Sequence, residues 1–468
     1  MTMKLGVQEE PAIYKVLLEQ TRVQALSKVV SKLVDGSHNP PAKQNTGHPM
    51  LSARNIDNGS INFDEFRFIS NEDFAQEDRR TRVTAGDVLL TIVGTIGRVA
   101  VVPRTAAPFA LQRSVAVMTP TTLLSKYLAY QLQAPDVQRY FEQNARGTAQ
   151  KGVYLKTLGN TPVLVPERDV QQQTVAYLDE QLSRLDASVA ALHRVQVNLK
   201  RYRASVLKSA CEGRLVPTEA ELARQEGRNF ETGAQLLQRV LTEQRARCRE
   251  RKYKEPTSPA IADLPELPAG WHWATMPQLG ELNRGKSKHR PRDDDQLYGG
   301  PHPFIQTGDV RHADGVLSRH SQTYSEFGLA QSRLWPAGTL CITIAANIAE
   351  TARLSYPACF PDSIVGFVCD SGEAMTKWVQ IFLATAKENL ETFAPGTAQK
   401  NINLEVLQNV AVPLPPLAEQ HRIVAEADRR LSLIRVAEAQ VTTNLARAQR
   451  LRQSILQAAF RTPAQAGQ

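Results

Sequence analysis

Apolar positions along this chain follow two different periods. From Val175, the residues Val175, Leu178, Leu182, Leu185, Val189, Leu192, Gln196, Leu199, Arg203, Val206 and Ala210 alternate steps of three and four. That is a heptad seam of about five repeats, and it predicts one long amphipathic helix. The spacing returns at Val424, Ala427, Leu431, Ile434, Glu438, Val441, Leu445, Ala448, Arg452, Ile455 and Ala459. A stripe of this length is most simply buried by its own duplicate, as an antiparallel two-helix coil. The alternative is two helices, each packed on its own domain. Ahead of the seams the period shortens. Val88 to Val102 is rich in β-branched residues and broken at Gly94 and Gly97, which predicts two strands around a glycine turn. Leu340 to Leu354 is its counterpart. Helix-like stretches follow at Leu123 to Asn144 and Met375 to Phe393. Between the halves, a charged helical pattern from Phe230 to Lys252 precedes Pro256, Pro259, Pro265 and Pro268, the mark of a linker carrying one helix.

The two patterns repeat because the chain repeats. Gly147-Thr148-Ala149-Gln150-Lys151 recurs letter for letter as Gly396-Thr397-Ala398-Gln399-Lys400, an offset of 249. Without a gap, that offset pairs Leu155 with Leu404, Asn160 with Asn409, Pro166 with Pro415, Gln171 with Gln420, Asp179 with Asp428, Leu182 with Leu431 and Ser205 with Ser454. Upstream the likeness weakens to Ala85-Gly86-Asp87 opposite Ala337-Gly338-Thr339, and Leu33-x-x-Gly36 opposite Leu282-x-x-Gly285. Each half is thus a variable segment followed by a near-constant one. Two copies of so long a unit predict an approximate two-fold arrangement rather than a solenoid. The expected fold class is α/β (α+β), with two mixed α/β domains in pseudo-two-fold repeat separated by a long antiparallel coiled coil. The expected boundaries are an N-terminal helical extension at 1–24, domain 1 at 25–166, helix 1 at 167–213, a helical and Pro-rich linker at 214–270, domain 2 at 271–415 and helix 2 at 416–462.

Composition narrows the function class. With 468 residues, 42% of them hydrophobic, the chain is globular and has room for several domains. The 56 Lys and Arg against 47 Asp and Glu give a net charge of +9, which favours a polyanionic partner, nucleic acid first. Cys211, Cys248, Cys341, Cys359 and Cys369 are scattered, so neither a disulfide framework nor a zinc knuckle is indicated, and a reducing cytoplasm fits. No apolar run reaches the roughly 18 residues of a membrane span.

The motifs that suggest catalysis fail on context. Gly280-Glu-Leu-Asn-Arg-Gly285-Lys286-Ser287 satisfies the P-loop pattern, but Pro277 lies just before it and Lys288-His289-Arg290-Pro291-Arg292 follows with no helical period. Asn39-Pro40-Pro41-Ala42 lacks the aromatic residue of an adenine-holding loop. Pro135-Asp136 and Pro361-Asp362 are not followed within about thirty residues by the acid-x-Lys pair of a Mg-dependent nuclease. The histidines form no metal-ligand spacing. Cations are the remaining signal. Arg284, Lys286, Lys288, Arg290 and Arg292 lie within nine positions, and Arg79, Arg80 and Arg82 precede the first strand pair, with Arg98 at its turn. Phosphate contacts need such donors on exposed loops, although each is equally readable as a solvated charge. Lys151 and Lys400 close the duplicated Gly-Thr-Ala-Gln-Lys loops, as phosphate contacts or as parts of a turn demanded by Gly147 and Gly396.

The arrangement resembles the specificity (S) subunit of type I restriction-modification systems, the HsdS family. The residues that carry the resemblance are Gly396-Thr-Ala-Gln-Lys-Asn-Ile-Asn-Leu404, Val412-Pro-Leu-Pro-Pro-Leu-Ala-Glu-Gln-His-Arg-Ile-Val424, Gly86-Asp-Val-Leu-Leu, Gly94-Thr-Ile-Gly-Arg98 and Asp263-Leu-Pro-Glu-Leu-Pro-Ala-Gly-Trp271. The first half departs from the signature, reading Pro166-Glu-Arg-Asp-Val-Gln-Gln172. The resemblance implies a non-catalytic subunit whose two target recognition domains each read half of a bipartite, asymmetric site in double-stranded DNA. It implies helices that space the domains and help dock two HsdM methyltransferase subunits, with HsdR restriction subunits completing the complex. S-adenosylmethionine, ATP and Mg then belong to those partners, with no cofactor in this chain. A coiled-coil scaffold joining two protein-binding domains is the alternative reading.

Overall fold

In the computed structural model the chain divides into two units, residues 1–194 with 441–468, and residues 195–440. The residues described are 21–57, 59–147, 150–247, 253–344, 350–369, 371–386 and 403–461.

In the first unit, an antiparallel sheet runs in the order Val30–Asp35, Val115–Pro120, Val88–Thr91, Val99–Val101. Its strands are apolar on both faces, and alternation sorts them. Val88, Leu90, Val99, Ala116 and Met118 pack with Tyr127, Leu128, Leu132 and Phe141 of the following helices. Leu89, Ala100, Val115 and Val117 face the other way, onto Leu51, Ile56, Phe109 and Leu111. A slip of one residue would exchange the two sets, so the register is strongly specified. Burying each Val, Leu, Ile, Phe or Met among them contributes about 1.5–3 kcal/mol.

The second unit repeats the plan. Gly280–Arg284, Ile364–Cys369, Leu340–Thr343 and Thr351–Leu354 are antiparallel neighbours, and Val316–Leu317 adds a parallel edge. Leu33 faces Met118 in one sheet and Leu282 faces Phe367 in the other, the same register 249 positions on. Leu340, Ile342, Val365 and Phe367 pack on Trp378, Val379 and Phe382, while Cys341, Ala352 and Ile364 turn to Trp335 and Phe360.

The paired glycines explain themselves here. A Cβ on Gly36 would stand 2.1 Å from the Leu111 carbonyl oxygen, and one on Gly285 would stand 2.2 Å from that of Phe360. Both lie just past the first sheet strand, where the amide of Gly36 donates to Val115 O (3.1 Å) and that of Gly285 to Ile364 O (2.9 Å). The P-loop lookalike is therefore a strand and its close-packed end, with no helix after Gly285 to receive a phosphate. The turn between Val88–Thr91 and Val99–Val101 uses Gly94 (φ 78°) and Gly97 (φ 94°) in the left-handed region.

Each variable domain closes on a two-stranded ribbon that leads into a long helix. Arg22–Ala25 pairs with Pro162–Val165, and His272–Thr275 pairs with Ala411–Leu414. The first long helix is Arg168–Cys211 and the second Leu417–Ala459. The repeated glutamine holds both helix starts, with Gln171 Nε2 donating to Pro166 O (3.0 Å) and Gln420 Nε2 to Pro415 O (2.8 Å). The repeated aspartate ties helix to domain, as Lys126–Asp179 at 2.7 Å and Lys377–Asp428 at 3.0 Å.

None of Val175, Leu178, Leu182, Leu185, Val189, Leu192, Leu199, Val424, Leu431, Ile434, Val441, Leu445 or Ile455 is exposed, so the heptad seam is the packed face of both helices. Within the first unit, Leu178 and Leu182 join Leu456, Ala459 and Phe460 in one core, and Arg452 reaches Asp186 at 2.8 Å. Within the second, Val206 and Ala210 join Ile423, Val424 and Ala427, and Arg203 meets Glu438 at 3.0 Å. In both units rising numbers on one helix meet falling numbers on the other, which is antiparallel pairing.

Three expectations need correction. The stretch Leu123 to Asn144 is two helices, Ser125–Gln133 and Pro135–Asn144, because Ala134 is extended ahead of a proline (ψ 142°). The linker carries two helices rather than one. Glu219–Glu226 is capped by Thr218 and ended by Gly227 at φ 65°, and Gly233–Arg247 sinks Leu236, Leu237 and Val240 into the core beside Trp271 and Met276. Of the expected N-terminal helical extension, residues 1–20 lie outside the described residues, and Arg22–Ala25 is a strand because it pairs with Pro162–Val165. No helix among the described residues is long and apolar enough to cross a membrane.

Candidate nucleic-acid interface

In the first unit, one end of the sheet gathers loops that are bonded backbone to backbone. The amide of Arg113 donates to Ser37 O (2.9 Å), that of Ile92 to Ser114 O (2.9 Å) and that of Gly94 to Lys151 O (3.0 Å). Ala53 N donates to Ser114 Oγ at 3.0 Å. These bonds bring together loops bearing Arg54, Arg98, Arg113, Arg146 and Lys151. Arg98 is half-buried, lying 3.8 Å from Asp57 and donating to Ile56 O. Arg54, Arg113, Arg146 and Lys151 are exposed and make no ion pair among the described residues. Tyr154, three residues on from Lys151 in the same loop, is 60% exposed. Such a surface offers unspent cations and one flat ring, the chemistry that contacts phosphates and stacks on bases.

The arginines ahead of the strand pair do not all join this surface. Helix Asn71–Thr81 carries Arg79, which is exposed, and Arg80, which is tied to Asp35 together with His38 (2.8 Å). Arg82 caps that helix in the left-handed region at φ 38°, and its carbonyl accepts from Lys32 Nζ at 2.7 Å. Lys32 also binds Asp87, ahead of Val88–Thr91, so Arg82 sits at the opposite end of that strand from Arg98 and Lys151. Gly147 (φ 116°) has no room for a Cβ, which would meet Gln150 O at 2.4 Å, so the turn needs its glycine while Lys151 remains exposed.

In the second unit the nine-residue cluster splits. Arg284, Lys286 and Lys288 are exposed and free of ion pairs among the described residues. Arg290 folds back, its Nη1 donating to Ser287 O and His289 O at 2.7 Å each. Arg292 is held by Asp362 at 3.0 Å. His289 binds Asp294 at 2.7 Å, and the Gln296 amide with His289 keeps that carboxyl below its ordinary value. Phe327, 45% exposed, meets His289 edge-on. Lys400 and its loop lie outside the described residues.

Arg54, Arg113 and Arg146 were not singled out from sequence. The repeat holds a signal for Arg113, whose counterpart 249 positions on is Asp362. Positions that reverse charge inside a conserved frame mark where the two halves do different work. Among the described residues, no group of three or more His, Cys, Asp or Glu is placed to hold a metal. The thiol of Cys211 is pushed up to about 12 by burial, and burial pushes Cys341 up further.

A family model described as the type I restriction modification DNA specificity domain matches residues 37–193 and again 268–430. The chain belongs to this family. It is similar to the EcoDI specificity subunit of Escherichia coli, 26% identical over 74% of this chain and 71% of that protein, and to the EcoKI specificity subunit of strain K12, 21% identical over 88% and 82%. A solved structure described as the basis of complex assembly and conformational transition of the type I R-M system shares the fold. Its TM-score is 0.59 at 19% identity, over 94% of this chain and 97% of that one.

In this specificity-family chain, the Pro-Leu-Ala-Glu-Gln-His segment has a physical account. Glu419 is fully buried and accepts from the Glu219 amide (2.8 Å) and Trp271 Nε1 (2.9 Å). Burial pushes its carboxyl above the ordinary value. Glu219, also buried, is ion-paired with Arg228 and Arg422 at 2.6 Å each. The first half has Val170 in place of Glu419 and keeps only the glutamine. Glu419 of the second half therefore serves its contact with the linker helix Glu219–Glu226 and with Trp271.

Proposed function

We propose that this chain is the DNA-specificity subunit of a type I restriction-modification complex. Each variable domain, 25–166 and 271–415, reads one half of a bipartite, asymmetric target in double-stranded DNA. The observation that carries the reading is the contrast between frame and loops. The two sheets share register, glycines and helix anchors, while the loops at their ends carry different unspent cations. A duplicated frame with divergent loop chemistry suits two different half-sites held by a common partner. Family membership supplies the DNA and the complex.

The chain itself is non-catalytic in this proposal. Two HsdM methyltransferase subunits dock on it, because duplicated helices present the same surface twice, and HsdR restriction subunits bind the assembly. S-adenosylmethionine, ATP and Mg serve those partners, and the complex works in the cytoplasm. The isolated chain should neither methylate nor cleave DNA, while the complex with HsdM should methylate adenine at a bipartite sequence. Methyl transfer by the purified chain alone would overturn the assignment.

A further inference from the structure

A cleft of about 900 Å³ lies within the second unit, between the two long helices and the edge of its domain. Seven cations against three acids line it. Lys200, Arg203 and Lys208 come from the first long helix and Arg435 from the second. Arg353 and Lys377 come from the domain side, above an apolar floor that includes Leu207 and Ile381. Acids pair part of this charge, Arg203 with Glu438 at 3.0 Å and Lys377 with Asp428 at 3.0 Å and Glu373 at 3.4 Å, and leave the rest loosely held. Lys200 makes no ion pair among the described residues, Lys208 is 4.0 Å from Glu212, and Arg435 is 3.5 Å from Asp314. Arg353 spends Nη1 on Glu373 at 2.9 Å but leaves Nε buried without a hydrogen-bond partner.

The internal repeat supplies a control. At the matching positions of the first unit, Gln449 stands for Lys200, Gln457 for Lys208 and Asp186 for Arg435. Two ion pairs are kept in both halves, Arg203–Glu438 with Arg452–Asp186 and Lys377–Asp428 with Lys126–Asp179. The extra charge of Lys200, Lys208 and Arg435 is thus specific to one half, whereas a requirement of the shared helix frame would appear in both.

Position suggests the ligand. Glu350 and Thr351, which line the cleft, lie at the same end of the sheet as Arg284. In the ladder Arg284 faces Val365, Val365 faces Ile342 and Ile342 faces Thr351. Three strand spacings make about 14 Å, close to the width of about 12 Å of the DNA major groove. Arg284 on one side and the cations of the cleft on the other would meet phosphates on opposite lips of one groove.

We infer that this cleft is a phosphate-binding site that grips the sugar-phosphate backbone flanking the half-site read by the second domain. The inference rests on the reading of the chain as a DNA-specificity subunit. The phosphates have two sources, flanking duplex or free nucleotide, and one variant separates them. Lys200→Gln with Lys208→Gln installs the residues the other half already tolerates at these helix positions.

The experiment measures binding of the complex with HsdM to its target duplex against salt, with size-exclusion chromatography to show that the variant still assembles. Loss of two phosphate contacts should lower the slope of log K against log salt by about 1.8. Between 50 and 200 mM salt the wild type should therefore lose about 12-fold more affinity than the variant. Base preference at both half-sites should stay unchanged. Trimming the duplex beyond the half-site of the second domain should weaken the wild type and leave the variant unaffected. An unchanged slope, together with ATP retention in equilibrium dialysis that the variant loses, would keep the phosphate site and assign it to free nucleotide. An unchanged slope with no ATP retention overturns the inference. A wild-type complex with no sequence-specific binding at all would instead refute the proposed function.

Discussion

Gly285→Ala should be among the most damaging single-methyl additions in the second unit. The added Cβ would stand 2.2 Å from Phe360 O and 2.4 Å from Pro361 O, both backbone atoms that cannot rotate away. Relief requires the loop to shift by about 1 Å, which costs about 1–3 kcal/mol as overpacking. The shift also strains the hydrogen bonds that the Gly285 amide donates to Ile364 O (2.9 Å) and the Lys286 amide to Phe360 O (3.1 Å). Leaving a buried amide unpaired costs about 1–3 kcal/mol more. A loss of about 2–6 kcal/mol is expected, which at a urea m-value near 3 kcal/mol/M lowers the midpoint by about 0.7 to 2 M. Trp271, Trp273, Trp335 and Trp378 are all the tryptophans of the chain and all lie in the second unit, so their fluorescence reports its unfolding. Gly338→Ala is the comparison. It has φ 86° and open space around its Cβ, so only the left-handed penalty of about 1–2 kcal/mol applies. If Gly285→Ala moves the transition no further than Gly338→Ala, the close-approach argument is wrong.

Other substitutions probe the surface and the buried charges. Lys286→Ala with Lys288→Ala should reduce the salt slope of DNA binding by about 2 and affect only the half-site of the second domain. Methylome sequencing that shows loss at the other half-site would refute the domain map. Arg290→Ala should instead loosen its own loop, seen as faster amide exchange near Ser287 and His289, because that guanidinium is spent on their carbonyls. Burial raises the Glu219 carboxyl, but Arg228 and Arg422 outweigh it and hold the group below its ordinary value. Its contribution to stability is therefore present above the ordinary carboxylate pKa of about 4.3 and lost as pH falls through the lower folded value. Glu219→Gln should flatten that acid limb and lower neutral-pH stability, by less than the about 3–5 kcal/mol of a fully buried pair because both arginines are about one-third exposed. Four residues inserted after both Leu192 and Val441 add about 6 Å of helix. The expected result is an unread spacer longer by one or two base pairs, with both half-sites unchanged.

What the sequence revealed and what it hid follow from the range of each interaction. The seam was legible because heptad spacing is local, and the strand pairs because Gly94 and Gly97 punctuate a β-branched run. Gln171 and Gln420 announced themselves by recurring, although their task, holding a proline carbonyl, needed coordinates. The helix Gly233–Arg247 hid its buried side because Arg239, Glu243, Arg245 and Arg247 dominate its pattern, while Leu236, Leu237 and Val240 find their partners in Val206 and Trp271, far away in sequence. Pro135 is a readable break inside a stretch whose apolar pattern alone predicts one helix. The cations were the least legible. Whether an arginine is spent or free depends on an acid such as Asp362 or Asp35, brought close only by the fold.

The paired ribbons at the base of each domain carry a different consequence. Ala25 faces Pro162 and Thr275 faces Ala411 across antiparallel ladders, so the chain departs into each variable domain and returns from it at directly opposed residues. Opposed Cα atoms in such ladders are about 4.5–5.5 Å apart. A segment whose two ends are that close has the geometry of a cassette: exchange at these ribbons would replace everything between them and leave the long helices unaltered. On the proposed reading, a new half-site would then come with a whole domain, without the gradual re-tuning of loops that a single-core reader would require.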